Sequence, residues 1–198
     1  MYTLSAPAHT EYIIKKSRFI GIAVPCTSET QAQATLAGLR QRYADANHIA
    51  YAYRILTPDG WRYRIHDANE PSGTAGKPIF AHLEGKQLVN VLVAVVRYFG
   101  GIKLGAGGLA RAYGQSAGQT LEQATKQPFV RKVKITLRLP YELLDRFLHH
   151  LKTLDADLID QTFTSDVTLT LALPEAQLDQ LGYAYQCLDH AVPTSTMP

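Results

Sequence analysis

Apolar residues recur with two different periods along this chain, and the switches between them predict its elements. Residues 12–24, YIIKKSRFIGIAV, read as a strand, and Ser28 with Gln31 forms a capping box opening a helix through Leu36, Leu39 and Tyr43. YAYRIL (51–56) and WRYRIH (61–66) alternate on either side of Thr-Pro-Asp-Gly, a hairpin signal. The turn-rich loop DANEPSGTAGKP (67–78) leads into a short apolar helix pattern from Ile79. Residues 88–99, LVNVLVAVVRYF, are almost continuously apolar and β-branched, which predicts a central strand buried on both faces. Helical spacing returns through Leu109, Ala110, Tyr113, Ala117, Leu121 and Ala124, until Lys126-Gln127-Pro128 breaks it.

From residue 133 the pattern changes. VKITLRL alternates strictly, a helix follows through Leu143, Leu144, Phe147, Leu148 and Leu151, then come the strands DLIDQTF and VTLTLAL and a helix through Leu178, Leu181 and Leu188. The order β-α-β-β-α, with one apolar sheet face, is that of the split βαβ or ferredoxin-like arrangement. Its sixth element is a strand, yet the tail HAVPTSTMP carries Pro193 and little apolar pattern, so that strand is expected to be very short or missing. The fold class is therefore α+β, in two domains, 1–130 and 131–198.

Charge divides at the same place. Residues 1–132 carry 16 Lys and Arg against 8 Asp and Glu, whereas residues 133–198 carry 4 against 9. A basic module attracts phosphates and an acidic one repels them; the alternative is two ordinary solvated surfaces. No segment has the roughly 18 consecutive apolar residues of a membrane span, and the start lacks a signal-peptide pattern. Cys26 and Cys187 show neither disulfide nor zinc spacing. The expectation is a cytoplasmic protein with no cofactor, no bound metal and no membrane contact.

The β-hairpin adds to the basic character. If the faces bearing Tyr51, Tyr53 and Ile55 and bearing Trp61, Tyr63 and Ile65 both meet the core, then Arg54, Arg62, Arg64 and His66 lie together outside, as a binding stripe or simply a solvated face.

The glycine-rich stretch 100–108 draws the chemical readings. Gly105-Ala-Gly107-Gly108-Leu-Ala110 fits a dinucleotide pattern, but Gly100 to Leu104 intervene after the strand and the acidic residue Glu122 falls inside a helix. Pro71-Ser-Gly73-Thr-Ala-Gly76-Lys77 resembles a phosphate loop without its first glycine or final hydroxyl, leaving an anion nest or a plain turn. Gly114-Gln115-Ser116-Ala117-Gly118 formally matches a nucleophile elbow, yet Ser116 falls about two turns into a helical pattern. What remains is electrostatic. No acid occurs between Glu84 and Glu122, while Lys86, Arg97, Lys103 and Arg111 do, beside a helix starting near Gly107 or Gly108 with free N–H groups.

Lys15-Lys-Ser-Arg-Phe19, Glu70-Pro-Ser-Gly-Thr-Ala-Gly-Lys-Pro78 and the stretch from Val96 to Tyr113, VRYFGGIKLGAGGLARAY, closely resemble the IMPACT family in its bacterial, YigZ-type, two-domain form. The resemblance implies a ribosomal protein S5 domain 2-like N-terminal domain and a ferredoxin-like C-terminal domain, both similar to domains of translation elongation factor G. It further implies a link to translation, since eukaryotic relatives compete for an activator of a stress-responsive kinase. One departure is Asp67-Ala-Asn-Glu70, where the family more often has Asp-Asp-Gly-Glu.

Charge split and resemblance together predict a non-enzymatic, translation-linked regulator that binds RNA or a ribosome-associated surface, without DNA sequence specificity. Arg54, Arg62, Arg64, Lys77, Arg97, Lys103 and Arg111 are the expected phosphate contacts, and Gly100, Gly101, Gly105, Gly107 and Gly108 form the signature loop that permits close approach. The alternatives are a protein-interaction module acting on a translation or stress factor without RNA, and a serine hydrolase using Ser116.

Overall fold

The computed structural model describes residues 1–57, 59–184 and 191–192. The chain divides into two compact units, Met1–Phe129 and Val130–Pro198.

In the first unit a short strand β1 (Tyr2–Leu4) is followed by β2 (Ala8–Ile14), β3 (Ser17–Pro25), helix α1 (Glu29–Arg42), β4 (His48–Thr57), β5 (Gly60–His66), α2 (Gly76–Gly85), β6 (Val91–Tyr98), α3 (Gly105–Gln123) and β7 (Lys126–Pro128). Five strands form one antiparallel sheet in the order β2-β3-β6-β4-β5. The most apolar strand, β6, takes the centre. Val91, Val93 and Val95 pack beneath α2 and α3, while Leu92 and Ala94 pack beneath α1 with Tyr51, Tyr53 and Ile55.

Two expectations are corrected here, and a third is extended. Residues 12–24 are not one strand but a hairpin, because Lys15 (φ 45°) and Lys16 (φ 64°) take left-handed conformations and reverse the chain between Ile14 and Ser17. The breaker Lys126-Gln127-Pro128 does follow the end of α3 at Gln123, and it also forms β7 and pairs with β1. On the hairpin of β4 and β5, Tyr53 faces Arg64 and Arg54 faces Tyr63. Directly opposed residues share a face, so Arg62, Arg64 and His66 lie on the α1 side and Arg54 lies on the other. The four-residue basic stripe is thus split, because the turn sets a register that pairs apolar with basic positions.

The capping box forms with a small shift. Ser28 Oγ accepts from Gln31 N at 3.1 Å, and Gln31 Oε1 reaches back one residue further, to Thr27 N at 2.8 Å. On the opposite face, α3 sits unusually close to β3. A Cβ at Gly21 would lie 2.1 Å from Thr120 Oγ1, and that hydroxyl is 2.6 Å from Thr10 Oγ1.

The second unit contains β8 (Lys132–Leu139), α4 (Tyr141–Leu151), β9 (Asp157–Phe163), β10 (Val167–Pro174), a 3-10 turn at Glu175–Gln177, α5 (Leu178–Ala184) and β11 (Ala191–Val192). Its antiparallel sheet has the order β11-β8-β10-β9, the ferredoxin-like arrangement, and the sixth element is present as a two-residue strand. Val133, Ile135, Leu137 and Leu139 alternate inward against Val167, Leu169, Leu171 and Leu173, with Phe147 and Leu181 from the helices over them. Both units are α+β.

Candidate nucleic-acid interface

The signature segments first build a buried polar centre. Glu70 accepts from Arg97 Nη1 at 2.6 Å and from the Tyr113 hydroxyl at 2.8 Å. Arg97 is 5% exposed, and its guanidinium lies 5.5 Å from the ring centroids of both Phe19 and Phe99. Burial, then the neighbouring Glu70 carboxylate, pushes the Tyr113 hydroxyl well above its ordinary range, so it remains a donor. This centre ties the 67–75 loop to β6 and α3. Arg97 is therefore not an exposed phosphate contact: its charge is matched by Glu70 and covered by Phe99.

The 67–75 loop is likewise occupied by its own chain. Asp67 accepts from Gly73 N (2.8 Å), Ala75 N (3.0 Å) and Gly76 N (2.8 Å). Burial pushes the Asp67 carboxyl up, but those three N–H groups outweigh it and the net shift is downward. The anion nest expected around Gly73 to Lys77 thus already holds an anion. Lys77 remains exposed, with its stem over Gly73.

The glycines divide by role. A Cβ at Gly100 would sit 2.0 Å from the Lys16 carbonyl carbon, so this glycine admits the chain's own hairpin, and its N–H donates to Ser17 Oγ at 3.1 Å. Gly101 (φ 84°) and Gly105 (φ 72°) supply turn conformations. Helix α3 begins at Gly105, earlier than expected, with Gly107 and Gly108 in its first turn and no side-chain cap on its free N–H groups. The space over Gly101, Gly105 and Gly107 is open.

Ser116 is fully buried mid-helix against Gly21, and its hydroxyl meets no partner among the described residues. The flanking Gly114 and Gly118 lie on another face, where a Cβ at Gly118 would stand 2.9 Å from His82 Cε1. The serine-hydrolase reading has no exposed nucleophile, because this GxSxG is a helix-packing pattern. His190, another residue that reading would call on, lies outside the described residues.

What the topology brings together is one end of the five-stranded sheet. The Lys15-Lys16 turn, the C-terminus of α1 with Arg40 and Arg42, the start of β4, the end of β5, the start of α2 with Lys77, and the 99–104 loop with Lys103 all lie there. Pro78 packs opposite Gly114 and His82 opposite Gly118, so α2 and α3 run parallel and present their positive dipole ends, with Arg111 in the second turn of α3, at that same end. The acids of this end are engaged. Asp67 caps α2, Glu70 holds Arg97, Asp45 accepts from the Tyr98 hydroxyl at 2.8 Å, and Glu11, further back along β2, pairs with Arg18 at 3.2 Å.

Of the seven predicted contacts, Lys77, Lys103 and Arg111 therefore converge. Arg62 and Arg64 are exposed along β5, leading away from that end, while Arg54 stacks 4.0 Å over Trp61 and donates to the Leu88 carbonyl at 3.2 Å. Lys15, Lys16, Arg40 and Arg42 were missed. The 12–24 hairpin, had its turn been recognised, would have revealed the first two. Among the described residues no group of three or more His, Cys, Asp or Glu is placed to hold a metal, and no helix is long and apolar enough to cross a membrane.

Comparison with known proteins gives two family matches: the Impact N-terminal domain over residues 15–121, and a domain of unknown function (DUF1949) over residues 137–182. The chain is 41% identical over 162 residues to an IMPACT family member of Thermus thermophilus, covering 82% of this chain and 87% of that protein. It is 36% identical over 179 residues to the IMPACT family member YigZ of Escherichia coli, covering 90% and 88%. A solved structure described as that of a hypothetical protein superposes with a TM-score of 0.72 at 34% identity, covering 92% of this chain and 89% of that one. The segments that build the buried Glu70–Arg97–Tyr113 centre fall within the first match, and the chain belongs to the IMPACT family.

Proposed function

We propose that the basic end of the N-terminal sheet binds RNA phosphates, on the ribosome or another translation-linked RNA, and that the protein acts there as a regulator and not as a catalyst. The observation that carries this reading is the concentration of Lys15, Lys16, Arg40, Arg42, Lys77, Lys103 and Arg111 at one end of a sheet whose local carboxylates are all engaged. Exposed cations that outnumber the acids around them release counterions when they neutralise phosphates. Two uncapped or open features, the α3 N-terminus and the bare backbone over Gly105 and Gly107, fit the close approach of a phosphate group.

The test is a salt titration of RNA binding by the full chain. Four to seven phosphate contacts give a slope of log K on log salt of roughly −3 to −5 for a single strand. Lys103→Ala with Arg111→Ala reduces its magnitude by about 1.4. A flat slope, or one unmoved by these substitutions, refutes the RNA reading. A second reading has its own observation: Ile13, Phe99 and Ile102 are exposed among the cations at 63%, 45% and 44%. A protein partner reading that surface would bind with nuclease resistance and little salt dependence.

A further inference from the structure

On the α1 face of the basic end, a cleft of about 300 Å³ opens between the last turn of α1 and the adjoining strand ends. Arg40, Tyr43, Asn47, His48, His66 and Asn69 help to line it, and among the described residues no carboxylate does. Its wall is organised by one backbone position. Ala68 (φ 53°) and Asn69 (φ 66°) are both left-handed, a conformation costing roughly 1–2 kcal/mol for an ordinary residue. Strain of this kind persists where surrounding structure enforces it, and it clusters at ligand sites.

In this conformation Ala68 fixes two imidazoles at once. Its N–H donates to His66 Nδ1 at 3.1 Å, and its carbonyl accepts from His48 Nδ1 at 2.8 Å. An N–H can only donate and a carbonyl can only accept, so the tautomers are set. His48 carries its proton on Nδ1, and neutral His66 carries its proton on Nε2 as a donor. The His66 ring is held flat against Tyr51, with centroids 5.0 Å apart and planes at 13°. Asn47 commits its side-chain oxygen to Phe99 N at 2.8 Å, which leaves its NH₂ to donate. Arg40 has no carboxylate partner among the described residues. The acids around the cleft are bonded elsewhere: Glu70, 3.7 Å behind His48, is held by Arg97 and Tyr113, Asp67 accepts from three backbone N–H groups, and Asp45 accepts from the Tyr98 hydroxyl.

A concave site with donors, a guanidinium and no acceptor charge selects an anion. Its volume is at the lower end of the ~300–1,000 Å³ typical of small-molecule sites, which suits a group of nucleotide size. We infer that this cleft binds a terminal phosphate, a phosphate monoester, with Arg40, His66 and Asn47 as its donors. Two sources share that chemistry: the 5′ end of an RNA, in which case the inference rests on the RNA reading above, and a free mononucleotide, in which case it does not.

The experiment is amide NMR of the full chain titrated with inorganic phosphate and with adenosine 5′-monophosphate, alongside binding of a short oligouridylate with and without a 5′ phosphate. Saturable shifts at Ala68 and Asn69 are expected with both small probes. They should weaken about tenfold in Arg40→Gln, the loss of one charge-assisted hydrogen bond, and at least as much in Asn69→Asp, which places a carboxylate in the cleft. Both positions are exposed, so the fold is retained. A 5′-phosphate preference that disappears in Arg40→Gln identifies the RNA end as the source; adenosine monophosphate binding without that preference identifies the free nucleotide. No saturable shift with either small probe, or shifts indifferent to both substitutions, overturns the inference. Loss of oligonucleotide binding in Lys103→Ala with Arg111→Ala, with monophosphate binding intact, separates the two sites. An oligonucleotide that fails to bind while the monophosphate binds sinks the RNA reading alone.

Discussion

Replacing Lys15-Lys16 by Asn-Gly should stabilise the N-terminal unit while weakening its grip on RNA. The two lysines form a two-residue hairpin loop between the paired residues Ile14 and Ser17, and both have positive φ. That is the geometry for which Asn-Gly is the favoured sequence, because glycine has no Cβ and asparagine tolerates the left-handed region. An ordinary residue there costs ~1–2 kcal/mol, so relieving both positions should return about 1–2 kcal/mol in total after the extra unfolded-state entropy of glycine is deducted. Gly100 packs against the Lys16 backbone and not its side chain, so the substitution leaves the corner's contact in place. Trp61, the only tryptophan, lies in this unit and reports on it. Urea unfolding followed by its fluorescence should move its midpoint up by roughly 0.5–1 M, taking a typical urea slope. In the same variant, the magnitude of the salt slope for single-stranded RNA should fall by about 1.4 as two cations are lost. A lower midpoint would refute the assignment of strain to this turn. A higher midpoint with an unchanged salt slope would show that the turn is strained for some other purpose and that the basic end is not where RNA binds.

Gly100→Ala should destabilise the unit by about 1–3 kcal/mol or more in the same unfolding assay, since its Cβ would meet backbone atoms of Lys16 and Ser17 that cannot yield without moving the hairpin. Glu70→Gln leaves Arg97 buried without its counter-charge and should cost ~3–5 kcal/mol, with Arg97→Ala comparably damaging because it strands Glu70; a loss below about 1 kcal/mol in either would contradict the buried pair. Asp67→Asn should cost about 1–2 kcal/mol at neutral pH. Because the folded-state pKa of Asp67 is depressed, its contribution is fully present above the unfolded value near 4 and is lost as pH falls through the folded value, so the two stability curves should converge in acid; a gap that widens there would refute the capping role.

The sheet and its two faces were legible wherever side chains repeat with one period. Residues 88–99 read as the central strand because a strand covered on both faces needs no polar positions, and the C-terminal strands read correctly because one covered face imposes alternation. The hairpin at Lys15-Lys16 was not legible, since lysines are not turn-formers and only the structure shows both in the left-handed region. Without that turn the cations at 15, 16, 40 and 42 had no reason to be neighbours. The split of Arg54 from Arg62 and Arg64 has a similar origin. Each strand's alternation was correct, but their relative register is set by the turn, and one residue of shift exchanges faces. The departure at Asp67-Ala-Asn-Glu70 also becomes intelligible. Position 69 has φ 66°, where glycine is at ease and asparagine is the next most tolerant residue, so the motif keeps its backbone while changing its side chain.

The signature residues and the binding residues are largely different sets, and the physics explains why the first are so easily mistaken for the second. A charged residue within a long, distinctive motif looks functional, yet Glu70, Arg97 and Tyr113 face inward and hold a loop, a strand and a helix in one place. Their net charge to the outside is nil. Their value is positional: Arg97 neutralises Glu70, and the N-terminal N–H groups of α2 partly offset Asp67, so neither acid competes strongly for the outer cations. Buried pairing of this kind contributes little net stability compared with an apolar core of equal volume. What it does here is set the sign of the surface, since replacing the pair with apolar residues would keep the packing, whereas removing Arg97 alone would leave a carboxylate beside His48 at the back of the cleft. Arg97→Ala is accordingly a poor probe of RNA contact, because it would weaken binding through the field and the fold without any phosphate having touched it. Lys103 and Arg111, exposed and unpaired with any acid among the described residues, are the positions at which a loss of affinity can be read as the loss of a contact.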